Sequence, residues 1–261
     1  MERRRVDTLL AERGLSPSRT SAAASVRAGR VRVGAGGARA IKPGQLVAAD
    51  EALAVEEPPR YVSRGGIKLE NALAALGIDP SGRDCLDVGA STGGFTDCLL
   101  AHGATRVIAL DVARGQLDWK LRNDERVHVI ERANARSMDR ADLPFQPSLA
   151  TIDVSFIGLA KVVPAVAACL APGGELLALV KPQFELGRER VGKGGVVRDP
   201  ADRREAVLGV ARAVGELGLA VRGIASSGLP GPKGNQETFV WAADGGVAVA
   251  DLEAAVAEGG A

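Results

Sequence analysis

The 261-residue chain is short of histidine, cysteine, tyrosine and lysine, and each shortage removes a class of chemistry. Two histidines, His102 and His128, supply poorly either a histidine-rich metal site or a Ser-His-Asp triad, and both read as structural. Cys85, Cys98 and Cys169 show no CxxC spacing and read as reduced and mostly buried. The single tyrosine, Tyr61, is followed four residues on by Gly65, so the Tyr-x-x-x-Lys pair of a short-chain dehydrogenase is missing. "GRERVGKG" fits G-x-x-x-x-G-K but ends in Gly194, where a P-loop needs Ser or Thr for magnesium. Long apolar runs are missing too. The longest, after Lys161, is broken by Pro164 and Pro172, which excludes a membrane-spanning helix. "MERRRVD" leads into a short amphipathic helix rather than an apolar signal segment, so a cytoplasmic protein is expected.

What is present in quantity is arginine, 26 residues against 7 lysines. In "LALVKPQFE" an apolar strand nevertheless runs straight into Lys181. Arg stays charged, whereas burial and like charges can push Lys neutral, so Lys181 is a candidate base as well as a candidate chain-end charge. The net charge of +1 is also uneven. Residues 1–42 carry nine Arg and one Lys against Glu2, Asp7 and Glu12, a local +7, and the remainder is −6. That asymmetry points to a basic module meeting a polyanion, attached to a body that need not.

The pattern along the chain divides it accordingly. Over residues 1–59, Val6, Leu9 and Leu10 form one helical face, and "SPSRTSAAASVRAG" reads as a second helix with Ser16 as N-cap, Pro17 at its first position and Gly29 past its end. Short strands follow in "RVRV", "GQLVAA" and "ALAVEE". Pro58 and Pro59 mark a linker. Over residues 60–261 strands alternate with helices: "RDCLDVGA", "TRVIALD", "RVHVIE", "SLATIDVS", "GELLALVK", "AVRGIASS" and "ETFVWAA" are the strands. The alternation predicts an α/β domain with a mostly parallel sheet covered on both faces; the last two strands, joined without a helix, should lie antiparallel at one edge.

"LDVGASTGGF" places Asp87, Gly89, Ala90, Ser91, Gly93 and Gly94 at the first strand-to-helix turn, where such sheets bind nucleotides. The spacing is G-x-x-x-G-G, not the dinucleotide G-x-G-x-x-G. Asp111 ends the next strand, 22 residues after Gly89, and can bond a ribose diol. An acid just before the turn suits a positive amino group better than a phosphate, and S-adenosylmethionine (SAM) carries both that amino group and a ribose. Gly89 and Gly93 are expected to let backbone approach this ligand. The plainer alternative is a tight turn flanked by strand-end carboxylates.

At this point the motifs identify a resemblance. The second domain resembles the FtsJ-like RNA ribose 2′-O-methyltransferases. The whole chain is similar to the haemolysin-A (TlyA-like) ribosomal RNA methyltransferases, which join an S4 RNA-binding domain to that catalytic domain. The similarity rests on "SRTSAAASVRAGRVRV", "YVSRGGIKLE", "LDVGASTGGFTDCLL", "ALDVARGQLDWKLRND", "LVKPQFELGRERVGKGGVVRD" and "GPKGNQETFVW". It departs at "VRVGAGGARAIKP", where the family's S4 motif usually has an Asn-Gly turn. The resemblance implies a Rossmann-like methyltransferase fold of seven strands preceded by a small α+β S4 domain. It also implies a catalytic tetrad of Lys68, Asp153, Lys181 and Glu237, with Lys181 as general base, Asp153 orienting it and Glu237 holding Lys68 or the target ribose. Lys68 lies on a helix whose stripe of Leu69, Leu73 and Leu76 points it off the packing face. Its charge is expected to help neutralise Lys181, which matters because only about one ordinary lysine in a thousand is neutral near pH 7.4.

Further expectations complete the picture. Asn134 and Ala135 are candidates for the adenine edge, and Trp119 is assigned to the core. Arg19, Arg27, Arg30, Arg32 and Arg64 are the candidate RNA contacts. SAM is the implied cofactor and no metal is required. The implied partner is ribosomal RNA or a ribosomal subunit, with cytidine as target and a monomer as the working unit. The rivals are an RNA- or ribosome-binding protein with a silent catalytic fold and a membrane-lysing protein. The latter would need an apolar or strongly basic amphipathic helix that the sequence lacks. A pseudouridine synthase would not need the glycine turn and Asp111.

Overall fold

Pro58 and Pro59 close the first of two compact units, Met1–Pro59 and Arg60–Ala261. The structure is a computed structural model and describes residues 2–260. The first unit runs β1 (Arg3–Arg5), α1 (Val6–Glu12), α2 (Arg19–Arg27), β2 (Val31–Val33), β3 (Ala38–Arg39), β4 (Leu46–Ala48) and β5 (Leu53–Val55). Val6, Leu9 and Leu10 on α1 meet Ala22 and Val26 on α2, and Val31, Ala40 and Val47 close this small core. Strand β1 is missing from the sequence reading because an arginine run has no apolar alternation. It is a strand through its backbone ladder to β4.

The N-cap of α2 is Ser18, not Ser16. Ser18 is extended and its Oγ accepts the Ser21 N–H at 3.1 Å, so Pro17 lies outside the helix. The arginines of this unit are largely engaged. Asp7 is buried between Arg5, whose Nε donates at 2.9 Å, and Arg19 at 3.3 Å. Arg30 donates to Ser25 Oγ at 3.0 Å, Arg32 pairs with Glu56 at 2.7 Å, and Arg27 remains exposed. The Arg5 hydrogen bond, with Arg19, holds the Asp7 carboxyl down to about 2 despite its burial.

The second unit runs α3 (Arg64–Leu76), β6 (Asp84–Val88), α4 (Gly94–Ala101), β7 (Arg106–Asp111), α5 (Trp119–Arg122), β8 (Val127–Glu131), β9 (Leu149–Ile152), α6 (Val163–Cys169), β10 (Glu175–Val180), α7 (Pro182–Glu185), α8 (Pro200–Glu216), β11 (Ala220–Ser226), β12 (Thr238–Ala243) and α9 (Leu252–Glu258). Its strands lie in the order β11-β12-β10-β9-β6-β7-β8. From β10 to β8 all pairings are parallel, and β12 is antiparallel to both β10 and β11. The two-sided burial of a parallel sheet explains the unbroken apolar runs of β7 and β10. Leu176, Ala178 and Val180 face one core with Val166, Val207 and Val210, while Leu177 and Leu179 face another with Leu69, Phe95 and Leu99.

Gly93, expected to let backbone approach a ligand, has a packing reason to be glycine. It is the N-cap of α4 at φ +97, and a Cβ there would collide with the Leu121 and Leu117 side chains, both buried. Its constraint is packing against α5 and the loop before it. Gly93→Val should therefore destabilise the protein by about 2–4 kcal/mol, from overpacking plus left-handed strain, as read from urea unfolding.

In the first unit, Asp7→Asn should cost about 1–2 kcal/mol at pH 7, a figure discounted because Arg5 and Arg19 are about half exposed. The folded carboxyl lies below its ordinary 3.8, so this stability is present above that value and lost as pH falls through about 2. Wild type and variant should thus converge in acid, which unfolding across a pH series checks.

Candidate active site

The carboxyl ends of β6, β9 and β10, with the start of α3 and the approach to β12, surround a cavity of about 580 Å³. All four tetrad candidates line it. Lys181 follows β10 and is 2.5 Å from Asp153, which follows β9; Lys181 Nζ also bonds Ser155 Oγ at 3.0 Å. Lys68 meets Glu237 at 2.5 Å, and both are buried. This corrects the expectation that α3 turns Lys68 off its packing face. A lysine with no carboxylate opposite would avoid such a position, but Glu237, 169 residues away in sequence, makes it tenable. The pairing also corrects the expected electrostatics, because Glu237 cancels much of the charge Lys68 was to exert on Lys181.

Asp87 is fully buried at the end of β6 and lines the same cavity. Its Oδ2 accepts from Thr96 N at 2.8 Å and Thr96 Oγ1 at 2.7 Å, while Oδ1 has no partner among the described residues. Burial pushes the carboxyl up to about 7, aided by the charges of Asp153 and Asp111 and opposed by the Thr96 bonds. An orphaned acceptor of this kind fits an incoming ammonium group.

Gly89, Ala90, Ser91, Gly94 and Arg64 line the cavity as well. Gly89, however, is required by the protein itself: at φ +84, an added Cβ would sit 2.5 Å from the Asp153 carbonyl oxygen. Asp111 lies in a small adjoining hollow that shares Ala90 and Ser91 with the cavity. Its two oxygens accept from Ser91 N and Ala113 N, each at 2.7 Å, so it shapes the glycine turn. Asn134 and Ala135 line neither space. Asn134 caps a 3-10 turn by accepting from Arg136 N at 3.1 Å, and Ala135 packs against the core. Trp119, assigned to the core, is 78% exposed. His102 bonds the Cys98 carbonyl and His128 packs edge-on to Phe145, both structural.

Sequence reasoning passed over Gln183, Phe184, Ser155 and Phe156, all in the lining. The signal was adjacency, since "LVKPQF" and "TIDVSF" contain them beside Lys181 and Asp153. Phe156 is 91% exposed at φ +65, with its ring 5.2 Å from that of Phe184. Behind it, Glu185 accepts from Leu159 N at 3.0 Å, and burial raises the Glu185 carboxyl to about 6.

Comparison with known proteins fits this geometry. A model of the FtsJ-like methyltransferase family matches residues 61–243. The chain is 49% identical over 241 residues to the 16S/23S rRNA (cytidine-2′-O)-methyltransferase TlyA of Mycobacterium tuberculosis, covering 92% of this chain and 89% of that one. It is 38% identical over 234 residues to Hemolysin A of Brachyspira hyodysenteriae, covering 89% and 97%. A solved structure of a protein named as a hemolysin, from Streptococcus thermophilus, matches with a TM-score of 0.74 at 40% identity, covering 99% of this chain and 96% of that one. No helix among the described residues is long and apolar enough to cross a membrane. The family match spans the seven-stranded sheet and the cavity at its strand ends, and the chain belongs to the FtsJ-like methyltransferases.

Proposed function

We propose that this chain transfers the methyl group of SAM to the ribose 2′-hydroxyl of a cytidine in ribosomal RNA, with residues 1–59 acting as an S4-type RNA handle. The observation that carries the reading is one cavity holding a lysine–carboxylate–hydroxyl cluster (Lys181, Asp153, Ser155) and the buried, half-unpartnered Asp87. The target comes from the relative named above, whose substrate is a cytidine 2′-oxygen in rRNA.

The residues present fit SAM. Asp87 Oδ1 would take its amino group and the backbone of Gly89, Ala90, Ser91 and Gly94 would line its path. Asp111 retains lone pairs for the ribose diol. When bound, SAM supplies an activated methyl group, so the protein need only align the nucleophile and remove one proton. Lys181, as the neutral amine, accepts the 2′-hydroxyl proton and becomes an ammonium. Asp153 at 2.5 Å and Ser155 then stabilise that ammonium. The Lys68–Glu237 pair forms a fixed, desolvated wall against which the ribose is oriented. Arg64, at the cavity rim and donating to the Pro230 carbonyl at 3.0 Å, is placed to meet a phosphate.

Two measurements test this. Lys181→Arg keeps the positive charge but cannot deprotonate, so methyl transfer to ribosomal subunits should fall by at least ~10²-fold while SAM affinity by calorimetry holds. Retention of more than about a tenth of the rate would remove Lys181 as base. SAM binding should also weaken as pH falls through about 7, because the protonated Asp87 no longer attracts an ammonium. The slope should approach roughly tenfold per pH unit on the acid side, and Asp87→Asn should abolish it.

A further inference from the structure

Among the described residues, three side-chain oxygens of the cavity lining are buried without a hydrogen-bond partner: Asp153 Oδ1, Asp87 Oδ1 and Gln183 Oε1. The first faces Lys181 Nζ at 2.5 Å and is satisfied by charge. The second belongs to the cofactor side, at the end of β6. Gln183 Oε1 remains, on α7 beside Lys181 rather than on the β6 turn that carries Asp87. Gln183 is the second residue of α7, two positions after Lys181 and next to Phe184. Pro182, between Lys181 and Gln183, fixes the backbone φ at the start of α7.

A buried amide carbonyl without a donor is destabilising, and a substrate donor that reaches it recovers that loss. An internal RNA nucleotide has few donors to offer. Its 3′ and 5′ oxygens are esterified and carry no hydrogen. Its 2′-hydroxyl proton goes to Lys181. The donors left are on the base. Cytosine presents an exocyclic amine at the position where uracil presents a carbonyl oxygen. An acceptor at that point bonds cytosine and opposes uracil oxygen to oxygen, leaving both unpaired. Sites built around a substrate N–H reject the analogue that lacks it far more strongly than apolar pockets reject a change of shape.

We propose that Gln183 is the specificity-determining residue for the target base, its side-chain carbonyl accepting a hydrogen bond from the exocyclic amine of cytosine. The inference rests on the reading of this cavity as the site of ribose methylation. It assigns the choice of base to α7, whereas the reaction itself belongs to Lys181 and Asp153.

The test compares ribosomal subunits carrying cytidine or uridine at the methylated position, for wild type, Gln183→Leu, Gln183→Met and Gln183→Glu. The quantity read is the ratio of kcat/KM on the two substrates, in which any general loss of activity cancels. Gln183→Leu removes the acceptor and should lower the cytidine-to-uridine ratio by roughly tenfold or more. Gln183→Glu keeps the acceptor and removes the amide donor, and should retain the ratio; Gln183→Met, which removes the acceptor at nearly the same side-chain length, should lower it as leucine does and serves where the leucine variant fails to fold. An unchanged ratio in a Gln183→Leu or Gln183→Met protein that still binds SAM overturns the proposal. A ratio lost in Gln183→Glu overturns it as well, because the acceptor would then not be the reader. If wild type methylates neither substrate, the reading of the cavity falls and this inference with it. Methylation of cytidine with a selectivity indifferent to Gln183 defeats the inference alone.

Discussion

Gly89 has no side chain because the Asp153 carbonyl stands 2.5 Å from the place a Cβ would take. That close approach of the ends of β6 and β9 is the constraint on which the cavity depends. Asp153 N bonds Val88 O at 2.9 Å and Gly89 N bonds Leu110 O at 2.8 Å, so three strand ends are tied together just where the sheet stops. Asp87, Asp111 and Asp153 each project from one of those ends, and β10 adds Lys181 beside them. A side chain at position 89 would push β6 and β9 apart and separate Asp87 from Asp153 and Lys181. The glycine is required by the protein's own backbone, which closes up at this position.

Three carboxylates gathered at one edge need compensation, and the compensation is unequal. Lys181 answers Asp153, while the Asp111 oxygens are occupied by two backbone N–H groups. Asp87 receives only Thr96 on one oxygen and is the acid whose carboxyl rises to about 7. The electrostatic gap in the site is therefore localised at Asp87, where a cation would be welcomed. On the far wall Lys68 and Glu237 neutralise each other in a buried pair, which favours geometry over charge. The cavity thus has a cation-seeking side and a rigid, internally balanced side, with Lys181 placed after β10.

Features carried by local pattern were legible in the sequence. Strand–helix alternation, the G-x-x-x-G-G turn and the apolar run into Lys181 need only neighbours in the chain, and the sheet and the place of Lys181 in the cavity lining correspond to them, whereas Lys68, Asp153 and Glu237 enter through the family resemblance. Features decided by distant partners were not. Lys68 is solvent-facing by helical periodicity and buried by its pairing with Glu237. Gly93 shares a motif with Gly89, and only the positions of Leu117 and Leu121 show that it packs against them rather than lining the cavity. Trp119 reads as core by hydropathy, yet the short helix α5 buries Leu121 and leaves the indole outside. Ser16 and Ser18 are equally good caps by residue type, and the choice depends on which one reaches extended geometry three residues before a free N–H.

The same distinction bears on the basic unit, where net charge and available charge diverge. Residues 1–42 carry +7, but Asp50, Glu51, Glu56 and Glu57 bring the whole unit of residues 1–59 to +3, a field that reaches roughly 10 Å at 0.1 M salt. Gripping a phosphate is a different matter, because it needs a guanidinium whose donors point outward. Arg5 and Arg19 are turned toward Asp7, Arg30 toward Ser25 and Arg32 toward Glu56. Their first task is to hold together a unit whose core contains only small aliphatic side chains, too few to stabilise it by burial alone. Arg27 and Arg39 are exposed, on α2 and on the β2–β3 hairpin. Under the proposed reading, a polyanion is steered by the whole unit but held by these few residues. The hairpin's Gly34 and Gly37, both at positive φ, set the turn that carries Arg39, so its reach depends on backbone geometry rather than on an Asn-Gly pair.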